Sequence, residues 1–548
     1  MIKRAMVQIP VEQVRKLKDL DRVRGDIAGY PLSKKVHLLL QEKLAEIFAD
    51  RSFPPHSDGK QRENWFEYIR EIIPIHVIAP LAIGVTLYSK QMIGTGFTRI
   101  LFIYDGNRFW WCNYKQDIYN VGNYLLDRLP DKSFADKYYG NYDRIFKETK
   151  ALCENYIGKD LGKLSKEKLL EQYNYFYSKI CKFHALSFDI DAVDIMLERR
   201  MKSDEKTYSI LTAPTTLSFV NQEQLEVYEV AENLSKKKPH KLLPYSNDII
   251  SKMIRSKYPG IAKDITGLVR KYWWTGLSWS SRAEKTFETF VADIIEVLKT
   301  HKNIHEEISR LKNFVIRSKA EKKKLKLDED VRNYLEIFEH YTIFHDYRKE
   351  IQMKSTKVMN SFLFELSRRY SGKFDDLQWC WPSEIQGYIM SGTINLVEAQ
   401  KRKEAFFALV TSEGIEQYSG EMALKRKNEE LSASIENIQN FKGIGASLGK
   451  ASGKAKVCYS SEEAANKIIP GDILVASMTT PDYVSAMKKV AAIVTDEGGV
   501  TAHAAIISRE MRIPCIVGTK IATKILNDND FIEVDANHGR VTILERGQ

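Results

Sequence analysis

His503 lies two residues after Thr501 and just behind the pair Gly498 and Gly499, and an apolar run, AAIIS, follows shortly after. Residue types in that order can do nucleophilic chemistry on phosphorus. Thr501 is a good N-cap for a helix opening at Ala502, its side-chain oxygen accepting from an early amide. His503 then falls in the first helical turn, where amides such as those of Ala502 and Ala504 have no carbonyl four residues back and the dipole leaves partial positive charge. Phosphate carried on the imidazole is stabilised there. Gly498 and Gly499 let the preceding loop bend through positive φ and bring its own amides to the same anion. Much of an imidazole is uncharged and nucleophilic near neutral pH, its unperturbed pKa being about 6.5. The covalent product of this arrangement is a phosphohistidine. The structural alternative is a capping or packing histidine with no chemistry.

The wider stretch GGVTAHAAIISREMRIPCIVGT decides between the two by resemblance. It is similar to the phosphohistidine signature of the phosphoenolpyruvate-utilising enzymes, the group of phosphoenolpyruvate synthase, pyruvate phosphate dikinase and rifampicin phosphotransferase. GASLGKASGKAKV, PGDILVASMTTPDYVSAMKKVAAIVTDEGG and LNDNDFIEVDANHGRVTIL extend the likeness over the C-terminal region. The resemblance implies that His503 is phosphorylated, with Lys454, Thr480 and Arg509 in supporting roles.

The elements that must position this histidine read as an α/β domain over residues 441–548. Short apolar runs, GKAKVCY, DILVA, AAIVT, PCIVG, FIEVD and RVTIL, alternate with helical segments around 461–467, 481–489 and 502–511. Thr479 and Thr480 before Pro481 read as a helix start. Asp496 and Glu497 either orient the imidazole or solvate a loop. Residues 440–447, NFKGIGAS, carry glycines suited to a hinge.

Upstream the chain reads as mainly helical. An N-terminal helical segment is expected over 1–55 and a large helical region over 56–440. GTGFTRILFIYDGNRFWWCNY adds a β-hairpin turning at Asp105-Gly106. SKEKLLEQYNYFYSKICKFHALSFDIDAVDIMLERRM and HEEISRLKNFVIRSKAEKKKL recur at helical spacing. Ser281 and Glu284 stand at capping-box spacing. In the stretch from Phe338 to Tyr370, His345, Arg348, Lys349 and Lys354 are expected near the start of a long amphipathic helix. An Arg fork with a lysine suits phosphoryl oxygens, and a surface charge cluster is the alternative. The resemblance implies an Arg and a Lys on a comparable helix before the carrier domain. Arg348 matches; the spacing to Lys349 or Lys354 departs from the family's four-residue gap, so both lysines stand as candidates.

The formal charge is +11. From Phe441 onward there are 13 Lys and Arg against 12 Asp and Glu, so the excess lies upstream, most densely in SKKKPHK and KAEKKKLK. No zinc-finger spacing or RNA-binding motif accompanies these runs, which read as solvated faces or linkers rather than a nucleic-acid site, with an acidic or phosphorylated partner as the other reading. Six scattered cysteines without a CxxC pair read as reduced thiols. The N-terminus has no apolar signal region, and the run from Ile72 to Tyr88 is broken by Pro74, His76 and Pro80 and is too short to span a bilayer. A cytoplasmic protein is expected, with no metal ligand set of its own.

The expected class is therefore α+β multidomain: a large mainly helical N-terminal and central region with a small β-hairpin or sheet, followed by a C-terminal α/β swivelling phosphohistidine domain. No GxxxxGK[ST] loop occurs, and neither the family's ATP-grasp module nor its C-terminal barrel is expected in this chain. The resemblance then implies a phosphotransferase subunit that takes phosphate, through Mg²⁺ and ATP bound on a separate ATP-grasp-like subunit, to a small-molecule acceptor. The second expectation is a regulatory or scaffold protein with a phosphorylatable His503.

Overall fold

The computed structural model describes residues 64–547 apart from 71, 201–210, 212–214, 238–241, 280–281, 302, 326, 432–437, 480–482 and 499–501. The helix expected over 1–55 lies outside them.

The hairpin read at Asp105-Gly106 is half of a larger sheet. Trp65–Arg70 (β1), Arg99–Tyr104 (β2), Phe109–Tyr114 (β3), Phe406–Thr411 (β4) and Ile415–Ser419 (β5) pair antiparallel in the order β1-β3-β2-β4-β5. The turn forms because Asp105 Oδ1 accepts from the amides of Asn107 and Arg108 at 3.1 and 2.8 Å while Gly106 takes φ 88°. Phe406 to Val410 are all buried, and β4 closes on β2 only after the helical region between them is complete.

That region is long helices packed side by side. The run read as one helix breaks at Phe188 into Lys166–Ser187 and Asp189–Arg200. Its partner is the 41-residue helix Glu329–Arg369, capped by Asp328 accepting from the Val331 amide. Helices Phe219–Ser235, Asn247–Lys257, Pro259–Tyr272 and Phe287–Thr300, with the start of Ile304–Lys324, share a separate apolar core. The expected Ser281–Glu284 capping box is corrected: the helix starts at Phe287, where Thr286 and Thr289 form the box, and Glu284 pairs with Lys357. The apolar run folds as the helix Ile75–Ile83, every residue buried, and a π-helical turn Gly84–Tyr88. Gly84 is required there, because a Cβ would stand 2.2 Å from the Cys181 carbonyl oxygen. Among the described residues no helix is long and apolar enough to cross a membrane. All six cysteines are buried and none forms a disulfide.

The second sheet has eight strands, Asn440–Lys442 (β6), Ile444–Ser447 (β7), Lys450–Cys458 (β8), Ile473–Ala476 (β9), Ala492–Thr495 (β10), Cys515–Val517 (β11), Phe531–Asp535 (β12) and Arg540–Glu545 (β13), ordered β6-β13-β12-β8-β9-β10-β11-β7. All six apolar runs read from the sequence are strands. β8, β9, β10 and β11 are parallel and both their faces are covered, with Val475 and Val494 in one apolar layer and Leu474 and Ile493 in the other. The expected hinge over 440–447 is corrected, since those residues belong to this sheet. Their glycines serve close packing: a Cβ on Gly445 would stand 2.0 Å from the Ala536 oxygen, and one on Gly443 2.6 Å from Ile516 Cγ2.

Candidate functional site

The site lies where parallel strands end and a helix begins, the usual position for a ligand in an α/β sheet. His503 is the first residue of the helix His503–Met511. The N-cap is Ala502, extended at φ −65° and ψ 157°, its carbonyl accepting from the Ile506 amide at 3.0 Å. This corrects the expectation that Thr501 caps a helix opening at Ala502: the helix starts one residue later and its cap carries no hydroxyl. Thr501 and Gly499 lie outside the described residues. Gly498 takes φ 105°, and a Cβ there would stand 2.7 Å from the Ala502 side chain, so only glycine lets the loop approach the helix start so closely. Ala504 is buried in the layer beneath.

The half-buried imidazole has its Nδ1 3.0 Å from Thr479 Oγ1. If Nδ1–H donates to this oxygen, the lone pair, and with it the nucleophilicity, falls to Nε2. Thr479 itself is buried just beyond β9. The sequence reading had taken it only as part of a helix start at Pro481. The helix described there is Val484–Met487, and Thr480 and Pro481, where the start was expected, lie outside the described residues. Lys454 and Arg509 are exposed.

Asp496 and Glu497 follow neither reading offered by the sequence. Buried Asp496 ties its loop to the next, accepting from Thr519 Oγ1 at 3.0 Å and from the hydroxyl and amide of Thr523, and burial raises its carboxyl above the ordinary range. Glu497 instead faces the helical region. It accepts from Ser477 Oγ at 2.8 Å and forms a two-pronged ion pair with Arg70, whose Nη1 also donates to Ser477 at 3.0 Å. Arg70, the last residue of β1, therefore grips both loops that flank His503, one after β9 and one after β10. Nothing in the local sequence marks it.

Behind Arg70 stands the second group of expected residues. Burial, then the charges of Asp191 and Glu497, raise the Tyr68 phenol. Asp191 accepts from Arg348 at 3.0 Å, and the same Nη1 reaches the Ser187 carbonyl at 2.7 Å. Arg348 Nη2 donates to His345 Nδ1 at 3.0 Å, and His345 Nε2 donates in turn to Asp194 at 2.6 Å. Arg348 is thus paired with Asp191, whose charge also acts on Arg70. Beneath it, burial lifts Asp189 to about 7 against the hydroxyls of Tyr138 and Tyr142, and burial with the Arg348 charge pushes His184 down to about 3.

The lysines are not brought into this group. Lys354 is buried between Glu154 and Glu350, at 2.9 and 2.7 Å, six residues further along the helix and on another face. Lys349 is exposed. Among the described residues no three His, Cys, Asp or Glu side chains stand together as a cation site requires.

A family model described as "PEP-utilising enzyme, mobile domain" matches residues 468–539. The chain is 44% identical over 183 residues to a probable phosphoenolpyruvate synthase of Archaeoglobus fulgidus, covering 33% of this chain and 21% of that one. It is 49% identical over 119 residues to phosphoenolpyruvate synthase of Pyrococcus furiosus, 21% and 14% of the two chains. It is 35% identical over 178 residues to an uncharacterized phosphotransferase, YvkC, of Bacillus subtilis, 31% and 21%. The match thus spans about a fifth or less of the length of these relatives. Over residues 468–539, which include His503, the chain is similar to the mobile domain of the phosphoenolpyruvate-utilising enzymes.

Proposed function

We propose that this chain is a phosphotransferase carrying a phosphoryl group on His503 from a nucleotide site outside its own residues to a small-molecule acceptor held by the helical region. The observation that carries the reading is the Thr479 hydroxyl 3.0 Å from His503 Nδ1 at a helix start. With Nδ1 engaged, Nε2 attacks phosphorus as the bond to the donor's bridging oxygen breaks, and the phosphate rests against the first-turn amides, among them that of Ala504. In the second step an acceptor hydroxyl or carboxylate oxygen attacks, the N–P bond breaks, and a hydroxyl acceptor gives up its proton to solvent. Splitting one transfer into two gives ping-pong kinetics.

The donor is ATP with Mg²⁺ on an ATP-grasp-like partner, as the resemblance implies. The described residues of this chain offer no cation site that fits the metal, so no step on this chain is routed through it. Residues 441–548 act as carrier and 56–440 as the acceptor side. Arg70 and Arg348 supply the guanidinium forks suited to phosphoryl or carboxylate oxygens there. Lys349 and Lys354 have no part in this reading as they stand.

Purified chain, incubated with γ-labelled ATP and the partner fraction, is expected to take acid-labile, base-stable label at His503. His503→Ala should take none, and Arg348→Ala should be labelled normally but discharge at least about tenfold more slowly. Label on the His503→Ala protein would end the proposal. Label that passes to no metabolite would favour the regulatory reading.

A further inference from the structure

Part of the basic run read from the sequence as a solvated face, Lys319 to Leu325, borders a cavity of about 830 Å³. The cavity opens between the helices Ile304–Lys324 and Glu329–Arg369. Lys319, Lys322, Lys323 and Arg332 line it against a single carboxylate, Glu339. Arg332, Leu335, Glu339 and Ile343 recur at helical spacing along one face of the long helix, and Leu325 and Leu327 add to the apolar wall. Thr215 and Thr216 contribute hydroxyls from the other side.

Lys322 is the informative member. It is 7% exposed, and its amine reaches Glu339 at 3.3 Å. That pair neutralises itself and leaves Lys319, Lys323 and Arg332, which have no carboxylate partner among the described residues. An excess of cations above an apolar wall is complementary to a ligand with a multiply charged head and a hydrophobic body. The volume falls in the range of small-molecule sites, about 300–1,000 Å³. A flat basic stripe would suit a nucleic-acid backbone; an open hollow of this volume with four aliphatic side chains suits a small molecule better.

We propose that this cavity binds a small organic phosphate monoester whose ester group is apolar. The site stands apart from His503 and does not rest on the phosphotransfer reading. Calorimetric titration of the full chain with 1-naphthyl phosphate should show saturable 1:1 binding at micromolar concentration. Inorganic phosphate and 1-naphthol should each bind at least about tenfold more weakly, since each lacks half of what the wall and rim recognise. Combined substitution Lys323→Ala and Arg332→Ala, both exposed, should weaken 1-naphthyl phosphate by at least about tenfold without lowering Tm. His503→Ala should leave the affinity unchanged. Absence of saturable binding below about 1 mM, or equal affinity in the double variant, would overturn the proposal. So would tighter binding of a single-stranded oligonucleotide, which would assign the basic run to nucleic acid.

Discussion

At the scale of single residues, the Thr479 hydroxyl and a helix start position His503 among the described residues. Thr479→Val keeps the shape and removes the hydrogen bond to Nδ1, so phosphorylation of His503 should slow by about fivefold, the worth of roughly 1 kcal/mol, with Tm unchanged. A single-turnover labelling rate measures this; an unaltered rate would mean that the imidazole is oriented by something else. Asp189 offers a test in pH. Its folded pKa of about 7 lies above the unfolded value of about 3.9. Between those values the folded protein holds a proton that the unfolded chain has released, so this group makes stability fall as pH rises. Asp189→Asn should therefore gain stability relative to the parent as pH rises from about 4 to about 7, read as the difference in urea unfolding free energy. A difference independent of pH would show that the carboxyl titrates normally.

At the scale of elements, the carrier sheet depends on glycines whose hydrogen faces a neighbouring backbone. Gly445→Ala places a methyl against the Ala536 carbonyl and should destabilise the domain by about 1–3 kcal/mol in denaturant unfolding. No loss would mean that edge strand β7 shifts freely. The contact of β1 with the carrier loops is a different kind of element pairing, charged and partly exposed. Arg70→Ala and Glu497→Ala should each slow phosphoryl discharge, and the double variant should lose less than the sum, with a coupling of about 0.5–1 kcal/mol. Strict additivity would show that the ion pair does not guide the carrier.

At the scale of the whole molecule, strands far apart in sequence bring the parts together. β1 supplies Arg70 to the carrier loops, the helix after Phe188 supplies Asp191, and the long helix supplies Arg348. The five-stranded sheet that places β1 is completed only when β4 pairs with β2. Buried His76 and His184, held neutral and pushed down to about 3, work against Asp189 in the pH balance of this core. Below their unfolded value of about 6.5 the unfolded chain takes up protons that the folded one refuses, so their contribution to stability is lost as pH falls.

Local sequence determined the strands of the C-terminal sheet. They are short apolar runs, a pattern set within a few residues, whereas among the described helices there only Ser461–Lys467 follows a capping side chain, that of Ser460. The long helices of the central region were equally legible from their spacing, and His503 stood out because residue type, glycines and helix start lie within six positions of one another. Tertiary structure alone decided what surrounds that histidine. Thr479, Arg70 and Asp191 reach their places through strand pairing and helix packing, which leave no periodic trace at the residues themselves. The same holds for what glycine does: from sequence it reads as freedom at Gly443 and Gly445, and in the fold it is the room that two backbones need to meet.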